Sequence, residues 1–216
     1  MKNPLPFDAL EARPDDVTYT LKVLDAGEGD GLRRVLFQRI VFADLGNDGA
    51  AQARFAWRAI EAAGGELPGT LPLMLDVERG GQSITNPTAQ RVRDVVSSFA
   101  ETYLALSGRR PTLYTGELAR ALGLRDMMGC ERGVVALYGK ELHGANESTV
   151  QFLERTAGMT LETLLAWQYC GDGVRELAGY PNEAPGVGRC DISVLTLPGG
   201  LEAVRAIAQP GPTTLR

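Results

Sequence analysis

The chain has 216 residues, of which 44% are hydrophobic and 23% charged, so it can form one globular domain and is too apolar to be disordered. Its 22 basic and 27 acidic side chains give a net charge of −5. This charge argues against a nucleic-acid-binding protein, because no basic surface is available to neutralise phosphates. His143 is the only histidine, which excludes a metal site with two histidine ligands.

Apolar runs alternate along the chain with longer segments of helical periodicity. The runs predict strands over 17–24, 35–42, 71–75, 111–115, 133–138, 164–169 and 191–195. The helical spacing predicts helices over 50–63, 87–106, 118–122, 147–153 and 200–208. In the second of these helices, Asn86 is the expected N-cap, and Gly108 the expected end. Residues 1–208 are predicted to form one domain, and residues 209–216 a loose C-terminal tail.

The alternation of strands and helices predicts βα units and a mainly parallel sheet, so the fold class is α/β. We expect an irregular TIM-like β/α barrel, complete or short by one strand, rather than an open doubly wound sheet. The doubly wound nucleotide-binding fold needs a GxGxxG motif after its first strand. The segment 27–31 comes closest, but it has an acidic residue where a phosphate would bind.

The N-terminal segment, the lengths of the apolar runs and the cysteine spacing indicate the cellular compartment and the redox state of the thiols. The N-terminal residues lack the apolar segment of a Sec signal peptide, so we expect synthesis in the cytoplasm. No run approaches the ~20 apolar residues that a membrane span needs. Cys130, Cys170 and Cys190 form no CxxC motif, so reduced, partly buried thiols are expected, with a disulfide between Cys170 and Cys190 as the alternative.

Two carboxylates, Asp76 and Glu78, directly follow the most apolar predicted strand. In a parallel barrel the reacting groups lie at the carboxyl ends of the strands. Because side chains alternate along a strand, Asp76 and Glu78 should point to the same side and Val77 away from it. Neighbouring carboxylates raise each other's proton affinity, which suits the general acid of glycoside cleavage. The alternative is a structural strand end that caps a helix or pairs with Arg79.

Aromatic and amide side chains occupy similar positions on other predicted strands, at Tyr114, Tyr138, Trp167 and Gln168. Aromatic rings stack on the CH faces of sugars, and amides form hydrogen bonds with hydroxyl groups. Asp191, which opens the last predicted strand, adds a third carboxylate near the same rim. One ring alone is more typical of a core, but the combined set predicts a sugar-binding cleft.

These segments resemble the glycoside hydrolase family 25 lysozymes, the Chalaropsis-type N-acetylmuramidases. The run Leu-Met-Leu-Asp-Val-Glu at 73–78 is similar to the DxE strand of that family. Further similarity lies in the "rpplYt" strand at 110–116, the "WiAxY" strand at 135–138, and the closing "WQY" signature at 167–169 with 185–194. Weaker similarity at 7–22 and 48–53 extends the resemblance over nearly the whole chain.

The resemblance implies an irregular barrel that hydrolyses the β-1,4 bond between N-acetylmuramic acid and N-acetylglucosamine, with retained configuration. By motif, Glu78 would be the general acid and then the base, while Asp76 would either orient the acetamido group or stabilise the charged intermediate. The residues implied to bind the substrate are Tyr114, Tyr138, Trp167, Gln168 and, at the floor of the groove, Asp191. The implied partner is the glycan strand of peptidoglycan, and no metal or cofactor is implied.

Two features of the family pattern are missing from the sequence. The family's first strand carries GxDvSxxQ with a groove Asp, whereas Met1 stands where the next segment begins, so we expect a barrel without that strand. Asp8 matches a later, mainly structural position. Val41 and Phe42 stand where the family has "YHf". A missing strand would leave its neighbours to pair together or expose their edges, which a partner chain, a second copy or residues 1–5 would cover.

Two classes of function follow from these observations. The first is a muramidase of a phage or bacterium, destined for the cell wall or the phage particle. The second is a catalytically degenerate barrel that binds glycan or serves as a structural or assembly protein. An unrelated α/β hydrolase is disfavoured because GxSxG is absent and a Ser-His-Asp relay would need His143. Ser83 is predicted to be an ordinary polar loop residue.

Overall fold

The computed structural model describes residues 18–20, 37–66, 70–80, 82–138, 147–171, 183–184, 188–189 and 191–208. Several predictions lie outside these residues: those for 1–17, 27–31, His143, Cys190 and the tail 209–216. The strands are β1 (Thr18–Thr20), β2 (Phe37–Phe42), β3 (Thr70–Val77), β4 (Thr112–Thr115), β5 (Arg132–Ala136), β6 (Leu164–Cys170), β7 (Glu183–Ala184), β8 (Gly188–Arg189) and β9 (Ile192–Leu195). The helices are α1 (Gly49–Ala62), α2 (Ala89–Ser107), α3 (Glu117–Ala121), α4 (Glu147–Glu154) and α5 (Gly200–Ala208).

The predicted strands and helices have counterparts in the structure within a few residues, and β1 tests only residues 18–20 of the 17–24 prediction. The short strands β7 and β8 were not predicted. Helix α2 begins later than predicted, because Thr88 rather than Asn86 accepts the hydrogen bond of the first turn, from the Arg91 amide (3.1 Å). The helix ends at Gly108 as predicted, where φ is 73°, a conformation that glycine adopts without strain.

Seven of the described strands form one sheet in the order β1-β2-β3-β4-β5-β6-β9. Strands β2 to β6 pair in parallel, which confirms the α/β prediction, whereas β1 and β9 run antiparallel to their neighbours. An antiparallel neighbour needs no helical crossover, and the described part of the β6–β9 connection contains only β7 and β8. The sheet is curled into an irregular, incomplete barrel.

The two faces of the sheet bury different sets of side chains. The outer face packs against α1 to α4 through a large apolar core that includes Leu75, Phe99, Val135 and Trp167. The inner face carries a smaller apolar cluster in which Val204 and Ala208 of α5 cover Leu71. Helix α5 therefore covers the inner face near the start of β3 and does not cover the carboxyl end of that strand.

Two cysteines in the described part of the chain, Cys130 and Cys170, are buried. Burial raises the pKa of Cys130 to about 12, so its thiol stays protonated. Cys130 is not in a disulfide, as predicted. Within the described residues, none of the helices has both the length and the apolar composition that a membrane crossing requires.

Candidate active site

Asp76 and Glu78 lie at the carboxyl end of β3, which lies between β2 and β4 in the sheet. The six residues before Asp76 are buried, which fixes the strand on both faces. Asp76 is half-buried and lies on the inner face, opposite Phe42 of β2 and Tyr114 of β4. The side chains that flank Asp76 are therefore aromatic on both sides.

The carboxyl group of Asp76 has a strongly perturbed proton affinity. Burial raises its pKa most, and the negative charges of Glu78 and Asp191 raise it further, to about 7. Within the part of the chain that the structure describes, its buried Oδ1 atom has no hydrogen-bond partner that would stabilise the ionised form. Asp76 therefore retains a proton through much of the range in which an ordinary aspartate is ionised.

Glu78 and Asp191 complete a group of three carboxylates at this rim. Glu78 is more exposed than Asp76, yet partial burial and the charge of Asp191 raise its pKa as well. Asp191 directly precedes β9, which runs antiparallel to β6. This direction brings the start of β9 to the carboxyl ends of the parallel strands. The charge of Asp191 raises the pKa values of Asp76 and Glu78, which is consistent with the predicted approach of the three carboxylates.

Two tyrosines and a glutamine form a hydrogen-bonded group beside the carboxylates. Tyr114 and Tyr138 both donate to the side-chain oxygen of Gln168, the latter at 3.2 Å, and their hydroxyl groups lie 3.2 Å apart. Tyr114 and Gln168 are buried, and Tyr138 is half-buried. Burial raises the pKa of Tyr114 above that of an ordinary phenol, so its hydroxyl remains a donor. The geometry of Tyr138 depends on Gly171, whose missing Cβ would lie 3.0 Å from the tyrosine ring.

Trp167 is not part of this group. Its ring is only 2% exposed and lies in the outer core, 5.7 Å between centroids from Tyr169, while its indole nitrogen donates to the Leu137 carbonyl (3.0 Å). Because side chains alternate along β6, Trp167 and Gln168 point to opposite faces. This position does not fit the sugar subsite predicted for Trp167, since a ring packed in the core has no face to offer a ligand.

Sequence reasoning missed Phe42 and Gln82. Phe42 is half-buried and pairs in register with Asp76, but only the pairing of β2 with β3 reveals that proximity. Gln82 lies in the loop after β3 and donates from its side-chain nitrogen to the Glu78 carbonyl (2.9 Å). Ser83, predicted to be an ordinary loop residue, donates to Asp44 (2.6 Å). Among the described residues, no three acidic, cysteine or histidine side chains are arranged to hold a metal ion.

Comparison with solved structures places this architecture among lysozymes. A GH25 lysozyme from Aspergillus fumigatus superposes with a TM-score of 0.53 at 20% identity, over 79% of this chain and 71% of its own. The bacterial lysozyme from Streptomyces coelicolor gives 0.54 at 21% identity, over 78% and 70%. A muramidase from Trichobolus zukalii gives 0.51 at 24% identity, over 75% and 67%. No protein-family model and no curated protein matches the sequence. The chain has a fold similar to that of the GH25 lysozymes and muramidases.

Proposed function

We propose that the protein is a peptidoglycan hydrolase, an N-acetylmuramidase that cleaves the β-1,4 bond between N-acetylmuramic acid and N-acetylglucosamine. One observation carries the proposal: two neighbouring carboxyl groups with raised pKa values, those of Asp76 and of the more exposed Glu78, lie at the carboxyl end of a lysozyme-like barrel. Glycoside cleavage needs a carboxylic acid that holds its proton near neutral pH, next to a second carboxylate.

Glu78 is the proposed acid because it is the more exposed of the pair and its pKa is raised. It donates its proton to the glycosidic oxygen as the bond to the anomeric carbon breaks, and the departing oxygen keeps the electron pair. Positive charge then develops on the sugar ring. Asp76 either stabilises that charge as a carboxylate or, protonated, orients the acetamido group. Glu78 finally accepts a proton from the attacking water, with net retention of configuration.

The proposed glycan contacts are those inner-face groups that a ligand can reach. Tyr138 is half-buried and Asp191 is exposed, so both are accessible from the rim. Tyr114 and Gln168 are buried, and Gln168 fixes the hydroxyl of Tyr138 by accepting its hydrogen bond. Phe42, half-buried beside Asp76, offers a further apolar surface. The proposed partner is the glycan strand of peptidoglycan, and the proposed destination is the cell wall or a phage particle.

The muropeptides released from purified peptidoglycan test this proposal. We expect mass spectrometry to detect new muramic acid reducing ends with the wild-type protein. We expect Glu78→Gln to lower the rate by roughly a hundred- to ten-thousandfold, the usual contribution of a positioned general acid, while glycan binding persists. Glu101→Gln, which changes an exposed glutamate on α2, is the matched control and should cleave normally. Binding without products from either protein would favour the degenerate barrel instead.

The rate should also fall as the pH rises through the pKa of Glu78, which burial and the charge of Asp191 raise above that of an ordinary glutamate. Ionisation of Glu78 removes the proton that the leaving oxygen needs. A pH–rate profile of product release measures this limb, and a rate that is constant from about pH 5 to about pH 9 would contradict the assignment.

A further inference from the structure

Two loops that border the active site are joined by polar side chains. One loop, residues 43–48, follows β2, and the other, described at residues 78–80 and 82–88, follows β3. Three side chains carry most of the connection: Gln82 and Ser83 from the second loop and Asp44 from the first. We call these three residues the interloop clamp.

The side-chain amide of Gln82 uses both of its ends. Its oxygen accepts from the Leu45 amide (2.6 Å), and its nitrogen donates to the carbonyl oxygens of Ala43 (2.8 Å) and Glu78 (2.9 Å). A single side chain therefore connects the backbone of Glu78 to the backbone of the neighbouring loop. Because the amide needs a donor and an acceptor in these positions, no apolar residue of the same size replaces it.

Asp44 anchors the other side of the clamp. Its Oδ1 atom accepts from the Ser83 amide (3.1 Å), the Ser83 hydroxyl (2.6 Å) and the Gly46 amide (2.9 Å). Burial alone would raise the pKa of Asp44, but these hydrogen bonds outweigh burial and lower it, so the clamp holds a carboxylate. The backbone of Asp44 is fixed in turn by Gln52 of α1, which is 2% exposed and bonds to both its amide (2.8 Å) and its carbonyl (2.9 Å).

The loops approach so closely that a side chain would not fit between them. A Cβ atom on Gly46 would lie 1.9 Å from the Ser83 hydroxyl oxygen. Glu78 itself is exposed and follows the last residue of β3, so side-chain packing does not fix it in the way that it fixes the buried strand. The hydrogen bond to its carbonyl is thus a direct constraint on where its backbone, and hence its carboxyl group, lies.

We propose that Gln82, acting through the interloop clamp, is a positioning residue for Glu78 and holds its carboxyl group within reach of Asp76 and Asp191. The catalytic consequence rests on the proposed function, whereas the positioning of Glu78 does not. The titratable groups that interact with Glu78 are Asp76, Asp191, Tyr114 and Tyr138. A Glu78 released from the clamp would spend more time in water and farther from Asp191.

Carboxyl-carbon NMR titration of the full chain with labelled Glu and Asp measures that release directly. In Gln82→Met, which keeps the size but none of the three hydrogen bonds, we expect the pKa of Glu78 to fall by about half a pH unit or more. Gln90→Met is the matched control, because Gln90 is an exposed glutamine on α2 that bonds to Asp94 (2.7 Å). The control should leave the Glu78 titration unchanged.

Kinetics on peptidoglycan separate positioning from binding. Misplacement of the acid should lower kcat of Gln82→Met by about ten- to a hundredfold with little change in KM. Ser83→Ala loses the hydrogen bond from the hydroxyl group to Asp44 but keeps the one from the backbone amide, so it should give smaller changes in the same direction. This variant replaces Gln82→Met in the test if Gln82→Met does not fold. A shifted Glu78 titration supports the clamp even if wild-type protein releases no products, an outcome that would instead overturn the proposed hydrolysis. An unshifted titration in both folded variants overturns the clamp.

Discussion

Two acidic side chains near opposite ends of β3 have contrasting surroundings. Glu66 lies shortly before the strand and is 11% exposed, and Asp76 lies near its end. Glu66 forms an ion pair with Arg109 (2.9 Å) and accepts a hydrogen bond from Tyr103 (2.5 Å). Asp76 has two further carboxylates, Glu78 and Asp191, as its charged neighbours. The positive charge of Arg109 offsets the cost of burying Glu66. The negative charges of Glu78 and Asp191 add to the cost of burying an ionised Asp76.

The compensated end holds elements of the fold together. Arg109 also donates to the carbonyl oxygens of Thr70 (3.1 Å), which begins β3, and Ile207 (2.7 Å), which lies in α5. Burial and the charge of Glu66 raise the pKa of Tyr103, whose hydroxyl therefore remains a donor. At the uncompensated end, the buried Oδ1 atom of Asp76 has no hydrogen-bond partner among the described residues, and the side chain instead retains a proton. Opposite charge therefore stabilises one end of β3, whereas like charge keeps a proton on Asp76 at the other.

Removal of Arg109 should eliminate its ion pair with Glu66 and give the largest loss of stability. Arg109→Met leaves Glu66 largely buried and without its ion-pair partner, which typically costs about 3–5 kcal/mol of the free energy of unfolding. Urea denaturation at neutral pH measures the change. Arg110→Met is the control, because Arg110 is exposed and its bond is to the Gly129 carbonyl (2.8 Å). Equal losses for the two variants would show that the ion pair is not what stabilises this end.

Replacement of Asp76 by a neutral residue should raise the free energy of unfolding, and only at a pH at which the wild-type carboxyl group is ionised. The pKa of Asp76 is about 7 in the folded chain and close to 3.8 in an ordinary setting, so between these values the folded state holds more protons. Stability therefore falls as the pH rises through this window, by at most about 4 kcal/mol. Asp76→Asn removes that loss.

Unfolding of Asp76→Asn at two pH values provides the measurement. We expect a gain in the free energy of unfolding at about pH 8 and almost none at about pH 4, where wild-type Asp76 is itself protonated. Asp94→Asn, on the exposed side of α2, is the control and should show no gain that grows with pH. A stability gain that is the same at both pH values would argue against a proton on Asp76.

Loss of a tyrosine hydroxyl beside Asp76 should have the smallest effect. Tyr114→Phe removes a buried donor to Gln168, and the expected loss in the free energy of unfolding is about 1–2 kcal/mol. Among the described residues, the side-chain oxygen of Gln168 then keeps only the bond from Tyr138. Tyr138→Phe removes the longer bond of a half-buried side chain, so its cost should be lower. Thermal unfolding of the two variants compares them, and a larger loss for Tyr138→Phe would contradict the ranking.

Much of the local structure could be predicted from the sequence because it depends on nearby residues. The apolar run at 71–75 predicted a strand buried on both faces, and Gly108 predicted the end of α2. The sequence placed Asp76 and Tyr114 at similar positions on successive strands, and the register of β3 and β4 pairs them. The alternation of side chains places Trp167 and Gln168 on opposite faces, so the two cannot both line the cleft that their strand-end positions predicted.

The sequence by itself determined where strands and helices form, that the fold is α/β, and that carboxylates follow β3, because propensity and periodicity act over a few residues. Tertiary structure alone decided the antiparallel direction of β9, the pairing of Arg109 with Glu66, and the bonds from Gln82 to the loop after β2. Those contacts join residues far apart in the chain, and their energies depend on burial and on neighbouring charges. Only the folded protein brings such groups together, and only there does the pKa of Asp76 rise to about 7.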